Sequence, residues 1–205
     1  MERVVQDPLD GLKRCPWGVE PAEYRRYHDE EWGRPVVDDA RIFEKVCLEG
    51  FQSGLSWLTI LRKRDGFRSA FRGFDIEAVA AFDERDVNRL LGDAGIVRHR
   101  GKIEATIANA RAVIELRATG LSLGALFWRY EPAPAGPART LAKLPAFRAE
   151  AKDLSKELRR RGFRFVGPTT VYAAMQSLGV VNDHLKDCHC RAPVEEARAT
   201  VKRPS

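Results

Sequence analysis

The stretch Gly162-Phe163-Arg164-Phe165-Val166-Gly167-Pro168-Thr169-Thr170 sets the reading of the chain. Glycines bracket a short apolar turn, and proline follows where a helix can open. Residues 151–161 carry a helical pattern stopped by Gly162. Residues 168–178 carry another, with Gly179 just past its end. A turn of this kind packs its Phe or Val between the two helices, while glycine lets the backbone approach a partner closely. The amides of Thr169 and Thr170 then open a helix and offer a phosphate site. The pattern fits a helix-hairpin-helix grip on a DNA backbone. It fits an ordinary αα-corner as well, and this stretch alone does not separate the two.

Outward from the turn, the remaining patterns are helical too. Ile103, Ile107, Ala110 and Ile114 recur at helical spacing over 102–116. Residues 38–52 open on Asp38 or Asp39 and place Ile42, Phe43, Val46 and Gly50 on one arc, with Glu49 projecting beside it. After a break at Gly54, Ser56 can cap a helix that begins at Trp57 and turns Ile60 and Leu61 inward. Three prolines over 131–137 rule out a helix there. No period-2 strand and no internal repeat is found, so the predicted fold class is all-α. One domain of two helical lobes is expected over 15–190, after a disordered extension over 1–14 and before a flexible tail over 191–205.

The 205 residues, 44% of them hydrophobic, suffice for one substantial core. The net charge of +6 favours an anionic partner, yet 29 acidic residues mean that the excess must be local to matter. Arg159-Arg160-Arg161 and Arg98-His99-Arg100-Gly101-Lys102 are the basic clusters, and either also reads as a solvated face. No apolar run reaches membrane-spanning length and no signal-peptide core follows Met1. The expectation is a cytoplasmic monomer without a membrane partner.

Four cysteines and four histidines suit a metal better than a disulfide framework. Cys15 and His28 lie near one end, His184 and Cys188 near the other, with three residues between the latter pair. A buried thiol and a helix-capping histidine would satisfy the same spacing, and His189 or Cys190 could stand in for Cys188. Cys47 sits in an apolar helix and reads as core. The third group is Trp17, Tyr27, Trp32 and Trp57 with Glu49. An enzyme acting on a nucleobase takes it out of the stack, holds it between rings and reads its edge with a few polar groups. Core tryptophans and a Glu49 paired to an arginine would account for the same residues.

Five ordered motifs resemble the DNA-3-methyladenine glycosylase I family of the helix-hairpin-helix superfamily. They are Tyr27-His28-Asp29-Glu30-Glu31-Trp32-Gly33, Leu48-Glu49-Gly50-Phe51-Gln52-Ser53-Gly54-Leu55-Ser56-Trp57, Asp93-Ala94-Gly95-Ile96-Val97-Arg98-His99, Gly162-Phe163-Arg164-Phe165-Val166-Gly167 and Val181-Asn182-Asp183-His184. The resemblance implies a zinc site tying the terminal segments through Cys15, His28, His184 and Cys188. It implies that Glu49 and Tyr27 hydrogen-bond an extruded base, that Trp57 and Trp17 line or stack on the pocket, and that Trp32 lies nearby. Leu55, in the turn with Gly54, would plug the gap left in the duplex. Gly167, Thr169, Thr170, Arg98 and Lys102 are the expected contacts to the DNA backbone. The implied reaction is monofunctional hydrolysis that releases 3-methyladenine from double-stranded, alkylated DNA, with Glu49 in the active site. Asp183, beside an expected zinc ligand, is read as structural support.

Overall fold

In the computed structural model, which describes residues 3–204, eleven α-helices account for nearly all regular structure. A two-stranded antiparallel ribbon precedes them, β1 (Val5–Gln6) against β2 (Lys13–Arg14), with Val5 opposite Arg14. Then follow α1 (Ala22–Glu30), α2 (Asp39–Gln52), α3 (Trp57–Arg62), α4 (Arg64–Ala70), α5 (Ile76–Ala80) and α6 (Glu84–Gly92). The chain continues through α7 (Arg100–Ala118), α8 (Leu123–Arg129), α9 (Ala149–Arg160), α10 (Pro168–Ser177) and α11 (Arg191–Thr200).

The helix starts follow from local chemistry. Asp38 accepts from the Arg41 amide to open α2, and Ser56 accepts from the Thr59 amide to open α3. His99 caps α7 by accepting from the Lys102 amide. Pro168 stands in the first turn of α10, where its missing N–H costs nothing. The core is continuous. Ile42, Phe43, Val46 and Phe51 of α2 meet Ile103 and Ala110 of α7 and Val171 and Met175 of α10 in one buried cluster. Helix α10 packs on both α9 and α2, while α7 packs on α5 and α2, so α2 runs through the middle of the molecule. This is why a polar residue on α2 ends up buried.

Three expectations are corrected. Ile114 is 39% exposed, because the buried face of α7 runs through Ile103, Ile107, Ala110 and Val113. The N-terminal extension is ordered over its described part: Asp7 and Arg14 are buried and ion-paired at 3.0 Å, and Arg14 also binds Asp10 and Asp29 at 2.7 Å. The tail forms α11, whose Val194 is fully buried and whose Arg198 donates to the Gly179 and Val180 carbonyls and to Glu131. Residues 1, 2 and 205 of these two segments lie outside the described residues.

Candidate active site and metal centre

Helices α1, α2 and α3 converge so that Tyr27, Lys45 and Trp57 meet at one slot, with Glu49 near enough for its charge to act on Tyr27 and Lys45. The Tyr27 and Trp57 ring centres are 5.5 Å apart with their planes tilted by 44°. Tyr27 and Glu49 are both buried, and the Glu49 carboxylate accepts no hydrogen bond from any described residue. Burial pushes its pKa up to about 7, with the positive charge of Lys45 pulling the other way. The Trp57 indole N–H is also buried without a partner. A buried donor left unused is costly unless a ligand or solvent meets it, and the Glu49 carboxylate, which takes no donor from the described residues, keeps a small contact with solvent.

Lys45, one turn ahead of Glu49 on α2, received no role from the sequence. Its ammonium is buried, donates to the Tyr27 hydroxyl at 2.9 Å and lies 4.4 Å from the Trp57 ring centre. The Tyr27 oxygen accepts from Lys45, which leaves its O–H to donate, with the Ser177 hydroxyl as a neighbour. The spacing of four from Glu49 was the available signal. A lysine within an apolar helix otherwise reads as one that reaches solvent.

Trp17 stands 6.3 Å from Tyr27, on the wall of the slot. Trp32 lies edge-on to Trp17 and to His184, 5.0 and 4.7 Å away, and so stands between the slot wall and the histidine cluster.

That cluster brings together the two chain ends. Cys15, His28, His184 and Cys188 are all buried, with one ligand atom of each lying within 4.8 Å of the other three. The Cys188 sulfur is 3.5 Å from both His28 Nε2 and His184 Nδ1, and Cys15 Sγ is 3.9 Å from His184 Nδ1. The far nitrogen of each ring has a fixed partner, Asp29 at 2.8 Å for His28 and the Trp32 carbonyl at 3.1 Å for His184. Rings held this way present their other nitrogens to a metal. The hydrogen bond between the two sulfurs pushes the Cys15 thiol up and Cys188 down, so the pair shares a proton that a cation could displace. Cys190 and His189 lie on the other side of His28, around Asp29, 3.7 and 3.1 Å from its carboxylate. Cys190 also reaches the Cys188 sulfur and lies 3.8 Å from His28 Nδ1, so it adjoins the first group of ligands.

A second face of the molecule carries the turn residues. Gly54, at φ +82°, lets the chain reverse so that Leu55 projects 42% exposed beyond the slot. Phe163 and Val166 of the 161–167 turn are buried, and Phe165 stands out, 40% exposed. The turn lies directly on α2, where a Cβ on Gly50 would come within 3.3 Å of that of Phe165. Asn109 of α7 holds it from below, its amide donating to the Arg164 carbonyl and accepting from the Arg164 N–H. This clamp went unread in the sequence, since one asparagine on a helix carries no signal. No side chain caps α10 after Gly167, which leaves the amides of Thr169 and Thr170 without intrahelical partners. Arg98 is exposed and makes no ion pair with any described residue, whereas Arg100 is taken by Glu84 and Glu104.

Lys102 is a correction. It is buried, and its ammonium donates to the carbonyls of Phe51 and Ser53 at the end of α2. Its cation faces the backbone just before Gly54, a group better able to hold the Leu55 turn than to meet a phosphate. Asp183 is buried and engaged by Tyr172 at 2.6 Å, Gln176 at 2.8 Å and Arg148 at 3.3 Å, joining α10 to the segment that carries His184.

With this geometry in view, residues 17–192 match the model of the methyladenine glycosylase family. The chain belongs to that family. DNA-3-methyladenine glycosylase 1 of Escherichia coli (strain K12) is 45% identical over 181 residues, covering 87% of this chain and 97% of the relative. A crystal structure of 3-methyladenine DNA glycosylase I superposes with a TM-score of 0.84 at 44% identity, covering 87% of this chain and 99% of that one. The structure describing 3-methyladenine recognition by the Staphylococcus aureus enzyme superposes at 0.82 with 34% identity, over 87% and 96%. Because the family match starts at residue 17, it leaves out the β1–β2 ribbon and Cys15.

Proposed function

We propose that the chain is a DNA-3-methyladenine glycosylase that extrudes the alkylated base from duplex DNA and hydrolyses its bond to the sugar. The observation that carries this reading is the mostly buried Glu49 carboxylate with no donor from the described residues, one turn along α2 from the Lys45 that meets Tyr27 and Trp57. Such a carboxylate calls for a ligand that is cationic or donates hydrogen bonds. Adenine methylated at N3 does both when joined to sugar. Trp57 offers a ring face and an unused N–H, Tyr27 an O–H to donate, and Glu49 an acceptor for an N–H on the base edge.

The chemistry asked of the protein is modest, because the cationic purine is already a good leaving group. Water attacks C1′, the bonding pair leaves with the base, and the protein holds the base while positive charge develops on the sugar. The reading is of a monofunctional enzyme with water as the attacking group, and the two buried lysines fit it, since Lys45 is taken by Tyr27 and Lys102 by the end of α2. The α9–turn–α10 unit acts as the helix-hairpin-helix grip, with Gly167, Thr169, Thr170 and Arg98 toward the phosphates and Leu55 filling the vacated place in the stack. Cys15, His28, His184 and Cys188 would hold a structural zinc. The fit is close, because a tetrahedral zinc with bonds of about 2.3 Å to sulfur and 2.0 Å to nitrogen separates those atoms by about 3.6 Å.

The test is release of free base from DNA treated with a methylating agent. Wild-type protein is expected to release 3-methyladenine without cutting the strand. Glu49→Gln keeps the shape, loses the charge and should lower excision at sub-saturating enzyme by about tenfold or more, with unchanged affinity for undamaged duplex. No release by well-folded wild-type protein would overturn the reading.

A further inference from the structure

Recognition of the base leaves Lys45 unexplained. Its ammonium is buried against two rings, 4.7 Å from the Tyr27 centre and 4.4 Å from the Trp57 centre, and 3.6 Å from a Glu31 oxygen. Glu31 is itself taken by Arg64 at 2.6 and 2.8 Å. Lys45, Glu49, Glu31 and Arg64 thus form a set of two cations and two anions behind the slot. A buried ammonium carries a desolvation cost that a methionine of similar length would avoid. Any base atom hydrogen-bonded to Tyr27 lies within two hydrogen-bond lengths of Lys45 Nζ, about 6 Å. At that separation, away from bulk water, two like charges repel strongly enough to alter both binding and rate.

On the reading that this slot receives the alkylated base, we infer that Lys45 tunes the rate: its charge opposes the cationic base while it is bonded to the sugar, and ceases to do so as it leaves. When the C1′–N9 bond breaks, its electron pair goes to N9 and the base departs neutral. The positive charge passes to the sugar until a water oxygen bonds to C1′ and gives its proton to solvent. Lys45 exchanges no proton and forms no bond. Its repulsion is felt by the ground state and lost toward the transition state, and only such a difference accelerates a reaction. Glu49 acts in the opposite sense, favouring the cation and so its capture. The two residues, one turn apart on α2, divide capture from release.

Single-turnover release of 3-methyladenine from methylated DNA separates the two quantities, the maximal rate and the enzyme concentration at half-maximal rate. The assay is run at about pH 8, above the Glu49 midpoint near 7 and no higher, because burial lowers the Lys45 pKa against the pull of Glu49 and Glu31. Lys45→Met is expected to lower the maximal rate about tenfold and the half-maximal concentration by a similar factor, leaving their quotient near wild type. Lys45→Gln keeps a donor for Tyr27 without the charge and should behave as Lys45→Met does. A raised half-maximal concentration at unchanged rate would make Lys45 an ordinary base ligand and overturn the inference. So would wild-type behaviour of Lys45→Gln, which would assign the effect to the hydrogen bond. Affinity for a duplex with an abasic-site analogue should stay at the wild-type value in both variants, and its loss in both would assign Lys45 to the fold, also against the inference. Release by wild-type protein in the same assay reports on the activity itself, independently of how the variants compare with it.

Discussion

Glu49 shows how one side chain can cost stability and supply function in the same pH range. Its pKa is about 7 in the fold, against 4.5 for an ordinary glutamate, with burial as the leading cause. As pH rises from 4.5 to 7 the unfolded chain gives up this proton before the folded one does, so this residue makes stability fall through that window. Above it the loss is constant, on the order of 3 kcal/mol. Glu49→Gln should therefore be more stable than wild type by roughly that amount at pH 8 and equal to it at pH 4, in the linkage sense. Urea unfolding at the two pH values checks this, and equal stability at both would mean that Glu49 is not strained by burial. Excision should move the other way. If the carboxylate is the form that receives the base, kcat/KM rises with pH through a midpoint near 7, and Glu49→Gln flattens that limb.

At the scale of elements, the question is how the end of α2 presents Leu55. Two carbonyls, of Phe51 and Ser53, converge on the buried Lys102 ammonium from α7. Lys102→Met leaves both without that donor and should cost about 2 kcal/mol of stability. Its DNA effect should be confined to damaged duplex, where the Leu55 turn is needed. The salt dependence of binding to undamaged duplex should be unchanged, whereas Arg98→Ala should reduce its slope by about one. A reduced slope in Lys102→Met would return Lys102 to the phosphate contacts. Lys102 also marks what was legible in the sequence. Caps such as Asp38 and Ser56, the proline at the start of α10 and the apolar arcs are local signals, and they located α2, α3, α7, α9 and α10. The grouping of Glu49, Tyr27 and Trp57 came from the motifs that resemble the family, because the residues by themselves read equally well as core. The destinations of long polar side chains were not legible. Lys45, Lys102 and Asn109 are each decided by a partner elsewhere in the chain, at separations of 18, 51 and 55 residues, and no local period encodes that.

For the whole molecule, the ends matter more than their composition suggests. Arg14 is 2% exposed, and its guanidinium is shared by Asp7, Asp10 and Asp29. Asp29 in turn orients His28, at 2.8 Å, and receives His189 from the far end of the chain at 3.1 Å. Burial works to raise the Asp29 pKa, yet the hydrogen bonds from Arg14, His28 and His189 hold it well below the usual carboxylate range. The ribbon, the Cys/His cluster that could hold a metal and the segment before α11 thus form one connected unit, although the family match begins only at residue 17. Arg14→Met removes the cation and leaves Asp7 buried beside only Arg25, at 2.9 Å. Breaking such a buried pair costs about 3–5 kcal/mol. It also frees Asp29 to turn away from His28, and loss of an orienting carboxylate lowers metal affinity by about 10–100-fold. The expected result is protein that melts earlier and yields its zinc to a chelator at lower concentration, while the excision rate of the metal-loaded variant stays near wild type, because no residue of the slot is touched. Competition with a zinc-binding dye, followed alongside thermal melting, measures both effects. An Arg14→Met protein that keeps its metal as tightly as wild type while melting earlier would confine the ribbon to stability and separate it from the metal centre.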